Sequence, residues 1–546
     1  MIFQKIKNFL ESKLENFDAS NFVENASRPI RLAIGVSGGG WRAALVSAGQ
    51  LAAFDDRTRG DSGLAGILQS ATYLSGLSGG NWLTGTLAMN NFTSIQQILD
   101  EGEIWNLESS ALNPQWDLNY TAEYYKTIRQ DLDDKKKAGF PVTTSDTWGR
   151  VTSYTAFAKM KDHGVSMCFS DLQNFDVFKN HEMPMPFSLI INREPNSFIV
   201  GKNATVLEVN PFEFGSWDPS LRQFTPIKYL GTELDDGVDN GTCVAGFDNA
   251  GYLMGTSSSL YNLYHDFLDN LNLTAIPESV RETAKSLFKY AYDKETQYAF
   301  LEPNPFYNSH LGYAEDIVKN ETLFMADGGE DGESIPFHPL IQPSRGVDVV
   351  FGLDNGQDRP EGWPNGTTLI NTFERQFSKQ GTGKFPYVPD QQTLLNLNMT
   401  AKPAFFGCDA KNLTSISEKG HDVPLVIYLA NRPFSFWSNT TVMKLNFQEW
   451  EKRGMIQNGY ETATRLNGTL DSDWPTCVAC AIIRREQERQ GIEQSDQCKE
   501  CFEEYCWNGE INHNSIAGVN FTDIGLTSGP NDSGNRKVIE PSNQIY

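Results

Sequence analysis

The chain alternates short, continuous apolar runs with longer stretches of helical period. RLAIGVS (31–37), ATYLSGL (71–77), FSLIIN (187–192), ATVLEVN (204–210), VDVVFGL (347–353) and VPLVIYLA (423–430) have the length and branched character of buried strands. The first two run into the glycine turns Gly38-Gly39-Gly40 and Gly79-Gly80, and then into helical patterns over 41–51 and 81–89. Further helices are predicted over 280–293 and 480–490. Ile2, Ile6, Phe9, Leu10, Leu14 and Phe17 recur at helical spacing, an amphipathic helix expected to cover a core rather than lie in a membrane interface. Strand, glycine turn and helix in succession predict a parallel sheet. With no internal repeat, low-complexity tract or clear linker, the expectation is one large α/β domain with long insertions.

Composition narrows the partners. The 546 residues carry a net charge of −24, which repels polyphosphates and so excludes nucleic acid as an expected partner. The same charge disfavours docking on anionic membranes. No run of about 18 apolar residues occurs, so no transmembrane helix is expected. Fourteen N-x-S/T sequons run from end to end: Asn25, Asn91, Asn119, Asn203, Asn240, Asn272, Asn320, Asn365, Asn398, Asn412, Asn439, Asn467, Asn520 and Asn531. So many imply a glycosylated protein of the secretory route, secreted or at the cell surface. The N-terminus itself is no signal peptide, because Lys5, Lys7 and Glu11 interrupt any apolar stretch, and SNQIY at the other end is no anchor tail. The expectation is that processing segments are missing from this chain.

The cysteines admit two readings. Cys477 and Cys480 form one C-x-x-C and Cys498 and Cys501 another, a spacing that fits a four-thiolate zinc site. In an oxidising compartment the same thiols pair as disulfides, and the sequons favour that reading. Cys168, Cys243, Cys408 and Cys506 would then complete an even set, with the connectivity open.

Two stretches bear on chemistry. GVSGGGWRA (35–43) and GLSGGNW (76–82) both read as G-x-S-x-G, a nucleophile on a sharp strand-to-helix turn. Acyl transfer needs one nucleophile and separate donors for the oxyanion. Consecutive glycines at a helix start leave amides uncovered, so Gly38, Gly39 and Gly40 suit the oxyanion hole, while Ser78, between Gly76 and Gly80, suits the nucleophile. Ser37 is then expected only to hydrogen-bond the loop; the reverse assignment is the alternative. Neither stretch has a P-loop lysine or a dinucleotide fingerprint. For a base, Asp327 follows the apolar TLFMA and precedes two glycines, although a turn aspartate bonding its own backbone fits the same residues.

GVSGGGWRA, GLSGG and DGGED, in that order, resemble the fungal phospholipase B or lysophospholipase family, whose catalytic module resembles cytosolic phospholipase A2. WGRVTSY, MPMPFSLIINRE, NATVLEVNPFEFGSWDP, MGTSSSLYN, NRPFSFWSN, MIQNGYE and WPTCVACAI carry the resemblance from about residue 17 past Cys506. It implies a three-layer patatin or cytosolic phospholipase A2-like core with large insertions and a disulfide-tied C-terminal region. The expected division is a lead-in over 1–30, a catalytic domain over 31–510 with its Cys-rich part at 408–506, and a tail over 511–546. The resemblance also implies a Ser–Asp dyad without histidine: Ser78 as nucleophile, Asp327 as base, Gly38–Gly40 as oxyanion hole and Arg42 for phosphate or transition-state binding. The elbow departs from many relatives at Asn81, which flanks the turn.

The implied reaction is hydrolysis of fatty-acyl esters of lysophospholipids or phospholipids through an acyl-enzyme, with transacylation as a side activity. It requires no metal and no cofactor, and membrane or micelle contact is transient. A carboxylate base stays ionised in mild acid, so activity near pH ~5 is expected. Of the histidines, His338 would be suspected if one took part. The rivals are a glycosylated lipid- or glycan-binding protein without turnover, a zinc module on the C-x-x-C pairs, and an acyl hydrolase of different lipid preference.

Overall fold

The computed structural model describes residues 2–195, 197, 200–259, 299–359, 361–514 and 545. Its strands are β1 Leu32–Val36, β2 Ala71–Gly76, β3 Met185–Asn192, β4 Val206–Val209, β5 Glu213–Ser216, β6 Gln223–Pro226, β7 Leu234–Asp235, β8 Val238–Asp239, β9 Ala299–Leu301, β10 Leu323–Asp327, β11 Val349–Asp354, β12 Ala404–Phe406 and β13 Leu425–Ala430. Every apolar run singled out above forms a strand. β7 and β8 make a separate hairpin, and the remaining eleven form one sheet of order β12-β13-β11-β1-β2-β3-β4-β5-β6. The centre, β13 to β3, is parallel, and antiparallel strands extend it on both sides. β10 also pairs antiparallel with β3 and carries β9 on its other edge.

The strands are apolar throughout because both faces are covered. Leu32, Ile34 and Val36 of β1 join one hydrophobic cluster and Ala33 the other; Leu425, Ile427 and Leu429 of β13 likewise oppose Val426, Tyr428 and Ala430. The first face is covered by helices Gly40–Phe54, Ser78–Met89, Glu449–Thr464 and Trp474–Gln490, the second by Thr367–Arg375, Gln391–Asn396 and the loop carrying Ile335 to Leu340. The result is the expected three-layer α/β core. Helices Gly40–Phe54 and Glu449–Thr464 touch backbone to backbone: a β-carbon at Gly49 would lie 1.8 Å from Ile456 O, and one at Gly459 1.9 Å from Val46 O. The N-terminal helix, Ile2–Lys13, buries Ile6, Phe9 and Leu10 in the first cluster, so its apolar face is spent on packing. The helix predicted over 280–293 lies outside the described residues.

Disulfides, not zinc, join the late cysteines. Cys477 and Cys480 are one turn apart on helix Trp474–Gln490, facing Cys498 and Cys501 on helix Asp496–Tyr505, and the pairs close crosswise as Cys477–Cys501 and Cys480–Cys498. Cys408 bonds Cys506, where the chain leaving the last helix runs alongside Phe405 of β12. The expected full set of eight is corrected here: Cys168 and Cys243 are thiols. Cys168 is held half-buried at the start of the turn Phe169–Asn174, with its thiol pushed up to about 12 by burial and then by the charge of Asp248, whereas Cys243 lies exposed on a loop.

Asn25, Asn91, Asn119, Asn203, Asn240, Asn398 and Asn412 are exposed, and Asn320, Asn439 and Asn467 half-buried. Asn365 is a correction: it is buried, and its Oδ1 accepts from the Thr367 amide at 2.9 Å and hydroxyl at 2.6 Å, so a glycan would disrupt packed structure. Asn272, Asn520 and Asn531 lie outside the described residues. Among those residues no helix is long and apolar enough to cross a membrane.

Candidate active site

β1 and β2 are neighbours in the parallel sheet, and each turns into a helix at the same edge. The two glycine clusters therefore meet. A β-carbon at Gly79 would lie 2.1 Å from Gly40 O, and one at Gly80 2.3 Å from Val36 O, so the two turns pack through bare backbone. Trp41 and Trp82 fix the adjoining helix starts ring against ring at 5.1 Å.

Ser78 opens helix Ser78–Met89 with φ +50, a left-handed strained turn after the extended Leu77. Gly38 lies against it: a β-carbon there would stand 3.0 Å from Ser78 Cβ and 3.6 Å from its Oγ. Ser37 is fully buried, and its Oγ accepts from the Asn355 amide at 2.7 Å, which is the loop role expected of it. The row of three donors is corrected to two. The Gly38 amide donates to Ser334 O at 2.9 Å, while the Gly39 and Gly40 amides, at the start of helix Gly40–Phe54, donate to no acceptor among the described residues. Gly39 has φ +134 and Gly40 φ +61, conformations that turn the loop towards Ser78 and suit glycine.

Asp327 ends β10, whose antiparallel pairing with β3 places it opposite Ile190, while Gly76 at the end of β2 stands opposite Ser188. β3 thus sets the spacing between elbow and carboxylate. Asp327 is buried; Oδ1 accepts from the Gly329 amide at 2.9 Å, and Oδ2 makes no fully formed hydrogen bond. Burial pushes its pKa up to about 6, offset in part by the Gly329 amide and the nearby Ser78 hydroxyl. This modifies the expectation of a base ionised throughout mild acid. No described histidine hydrogen-bonds Ser78 or Asp327, and His338 is buried and held well below its ordinary pKa by desolvation and then by Arg375 and Arg345.

Arg42 is buried in the first turn after the triple glycine. Nε donates to Asn355 O at 2.9 Å, and Nη1 to Gln357 Oε1 at 2.9 Å and Thr440 O at 2.7 Å. Nη2 has no protein acceptor among the described residues and faces Gly39, whose β-carbon would come within 2.5 Å of it. Desolvation lowers its pKa to about 10, still cationic at neutral pH, and Asp358 and Asp354 support the charge. The geometry leaves one edge of a guanidinium fork facing the glycine loop.

Two supporting segments were not legible as functional. The loop Asp354–Asp358 cradles Arg42, while Ser257 reaches Ser78 and the turn after Asp327, and Ser259 reaches Asp327. Ser257 and its neighbours occur in MGTSSSLYN, which carries no motif of its own; only contacts across the fold reveal their part.

The lysophospholipase catalytic domain family model matches residues 32–512. Lysophospholipase 1 of Candida albicans is 45% identical over 542 residues, covering 98% of this chain and 88% of that protein. Lysophospholipase 2 of Candida albicans is 47% identical over 530 residues (96% and 85%), and lysophospholipase 3 of Saccharomyces cerevisiae 44% over 534 residues (94% and 77%). Among solved structures, human GIVD cytosolic phospholipase A2 superposes with a TM-score of 0.62 at 16% identity, over 89% of this chain and 66% of that one. At that identity the superposition establishes the fold alone. The family model and the sequence relatives cover nearly the whole chain, including both glycine clusters and Asp327, and by that measure the chain belongs to the lysophospholipase family.

Proposed function

We propose that the chain hydrolyses the fatty-acyl ester of lysoglycerophospholipids, releasing free fatty acid through a Ser78–Asp327 dyad. The observation that carries this reading is the junction of Ser78, the unbonded Gly39 and Gly40 amides and a buried carboxylate with one oxygen unpartnered. Ser78 Oγ attacks the acyl carbonyl and its proton passes to Asp327. The Gly39 and Gly40 amides stabilise the oxyanion, with the dipole of helix Ser78–Met89 adding positive potential at its start. Arg42 Nη2 holds the phosphate. Asp327 then protonates the departing glycerol oxygen, and water attacks the acyl-enzyme; a second lysolipid as acceptor would give transacylation instead. The mechanism assigns no role to a metal.

The disulfides and exposed sequons support a secreted or cell-surface site of action, with transient contact to a membrane or micelle. The test is fatty-acid release from lysophosphatidylcholine with EDTA present, wild type beside Ser78→Ala and Ser37→Ala. Loss in Ser78→Ala alone supports the assignment. Loss in Ser37→Ala alone reverses the two clusters, and no release from folded wild type favours a binding protein.

A further inference from the structure

Ser257 follows helix Ala250–Thr256 and is fully buried between the two halves of the site. Its carbonyl oxygen accepts from the Ser78 amide at 3.0 Å and from the Gly328 amide, the residue after Asp327, at 3.3 Å. Its hydroxyl oxygen lies 3.3 Å from the same Ser78 amide and donates to Leu189 O at 2.6 Å. Leu189 stands on β3 between Ser188, opposite Gly76 of the elbow strand, and Ile190, opposite Asp327. Two residues on, Ser259 O accepts from the Asp327 amide at 3.1 Å.

We propose that Ser257 is a positioning residue: pinned to β3 by its hydroxyl, it braces the Ser78 turn and the Asp327 turn with one carbonyl and so fixes the distance over which the proton moves. The proposal rests on the reading of Ser78 as nucleophile and Asp327 as base. A brace of this kind is needed because Ser78 is in a strained left-handed conformation and the Asp327 carboxylate is held only by the Gly329 amide and the nearby Ser78 hydroxyl. Removing the hydroxyl frees residue 257 from β3, and both turns relax together.

Ser258 supplies the matched control. It too is buried, one position on, but its hydroxyl accepts from Trp148 Nε1 at 3.0 Å and donates to Met254 O at 2.9 Å, away from the dyad.

The experiment measures kcat and KM on lysophosphatidylcholine, the acid limb of the pH profile, the rate of labelling by a fluorophosphonate and the melting midpoint for Ser257→Ala, Ser258→Ala and Ser257→Thr, beside Ser78→Ala. The expected result for Ser257→Ala is a kcat lower by roughly 10- to 100-fold with KM nearly unchanged. Labelling should slow in parallel, and the acid limb should move to lower pH as water reaches Asp327. Ser258→Ala should melt earlier yet keep its kcat, and Ser257→Thr, which retains the hydroxyl, should recover most of the turnover even if the alanine variant does not fold. Wild-type kcat in Ser257→Ala, equal losses at 257 and 258, or a threonine variant no better than alanine would overturn the brace. Turnover surviving in Ser78→Ala would overturn the nucleophile assignment beneath it, an outcome distinct from these.

Discussion

The Gly38 amide donates to Ser334 O at 2.9 Å, so the strand-end loop beside Ser78 is tied to the turn that follows Asp327. Gly38 therefore serves the site by lacking a side chain rather than by offering a donor. In Gly38→Ala the new β-carbon would meet Leu77 Cδ1 at 2.8 Å, which can swing aside, and Ser78 Cβ at 3.0 Å, which cannot move without misplacing the nucleophile. A folded protein with kcat reduced by roughly 100-fold is expected. Gly85→Ala, in the helix that Ser78 opens and with its nearest atom at 3.6 Å, should keep activity and gain about 0.5–1 kcal/mol from helix propensity. Steady-state kinetics and thermal melts on the two variants check both statements.

Activity should fall in acid as Asp327 takes up its proton. With its pKa raised by burial to about 6, kcat/KM should drop below about pH 6 and retain roughly a tenth of its plateau near pH ~5. A histidine would titrate in nearly the same range, so the profile must be paired with Asp327→Asn, which should lose turnover at every pH while remaining folded. A variant that kept the wild-type rate would remove Asp327 from the mechanism.

Arg42→Lys keeps the charge but cannot reach Asn355 O, Gln357 Oε1 and Thr440 O from one rigid fork. If Nη2 holds the phosphate, kcat/KM on lysophosphatidylcholine should fall by roughly 10- to 100-fold, and on a monoacylglycerol of the same chain far less. Equal losses on both substrates would make Arg42 a support for the loop alone.

Stability should also depend on pH, in the direction opposite to simple acid unfolding. Burial raises Glu333 and Asp354 to about 7 and Asp218 to about 6, so the folded protein holds protons that the unfolded chain has released. Their contribution is complete below about pH 4, the unfolded carboxylate range, and is lost as pH rises through 6 to 7. Asp390, lowered to about 2, acts only in stronger acid, whereas the depressed His338 opposes the carboxylates below about pH 6.5, one group against three. The melting midpoint should therefore drop by a few degrees from pH 5 to pH 7.5, and Glu333→Gln should reduce that drop.

Reductant should lower the melting midpoint, and a metal chelator should leave it unchanged. Cys408–Cys506 spans 98 residues and Cys480–Cys498 only 18. Replacing the first pair by alanines should cost about 4–5 kcal/mol and the second about 3 kcal/mol on the chain-entropy account.

Sequence alone determined the parts of this protein that follow from local rules. Strands buried on both faces must be apolar throughout, and a turn packed backbone on backbone must be glycine, so the core strands and both glycine clusters, with Ser78 between Gly76 and Gly80, were legible along the chain. The C-x-x-C spacing likewise marked Cys477, Cys480, Cys498 and Cys501 as a linked set, but that each pair lies on one helix came from the structure. Tertiary structure decided what depends on residues far apart. Which glycine amides remain free turned on Ser334, nearly three hundred positions from Gly38. The pKa of Asp327 turned on burial, the pairing of cysteines on which helices lie together, and the accessibility of Asn365 on the packing around it. Ser257 carries no motif at all: its relation to Ser78 and Asp327 exists only because β3 pairs with both the elbow strand and the strand of the base, a register that no local pattern encodes.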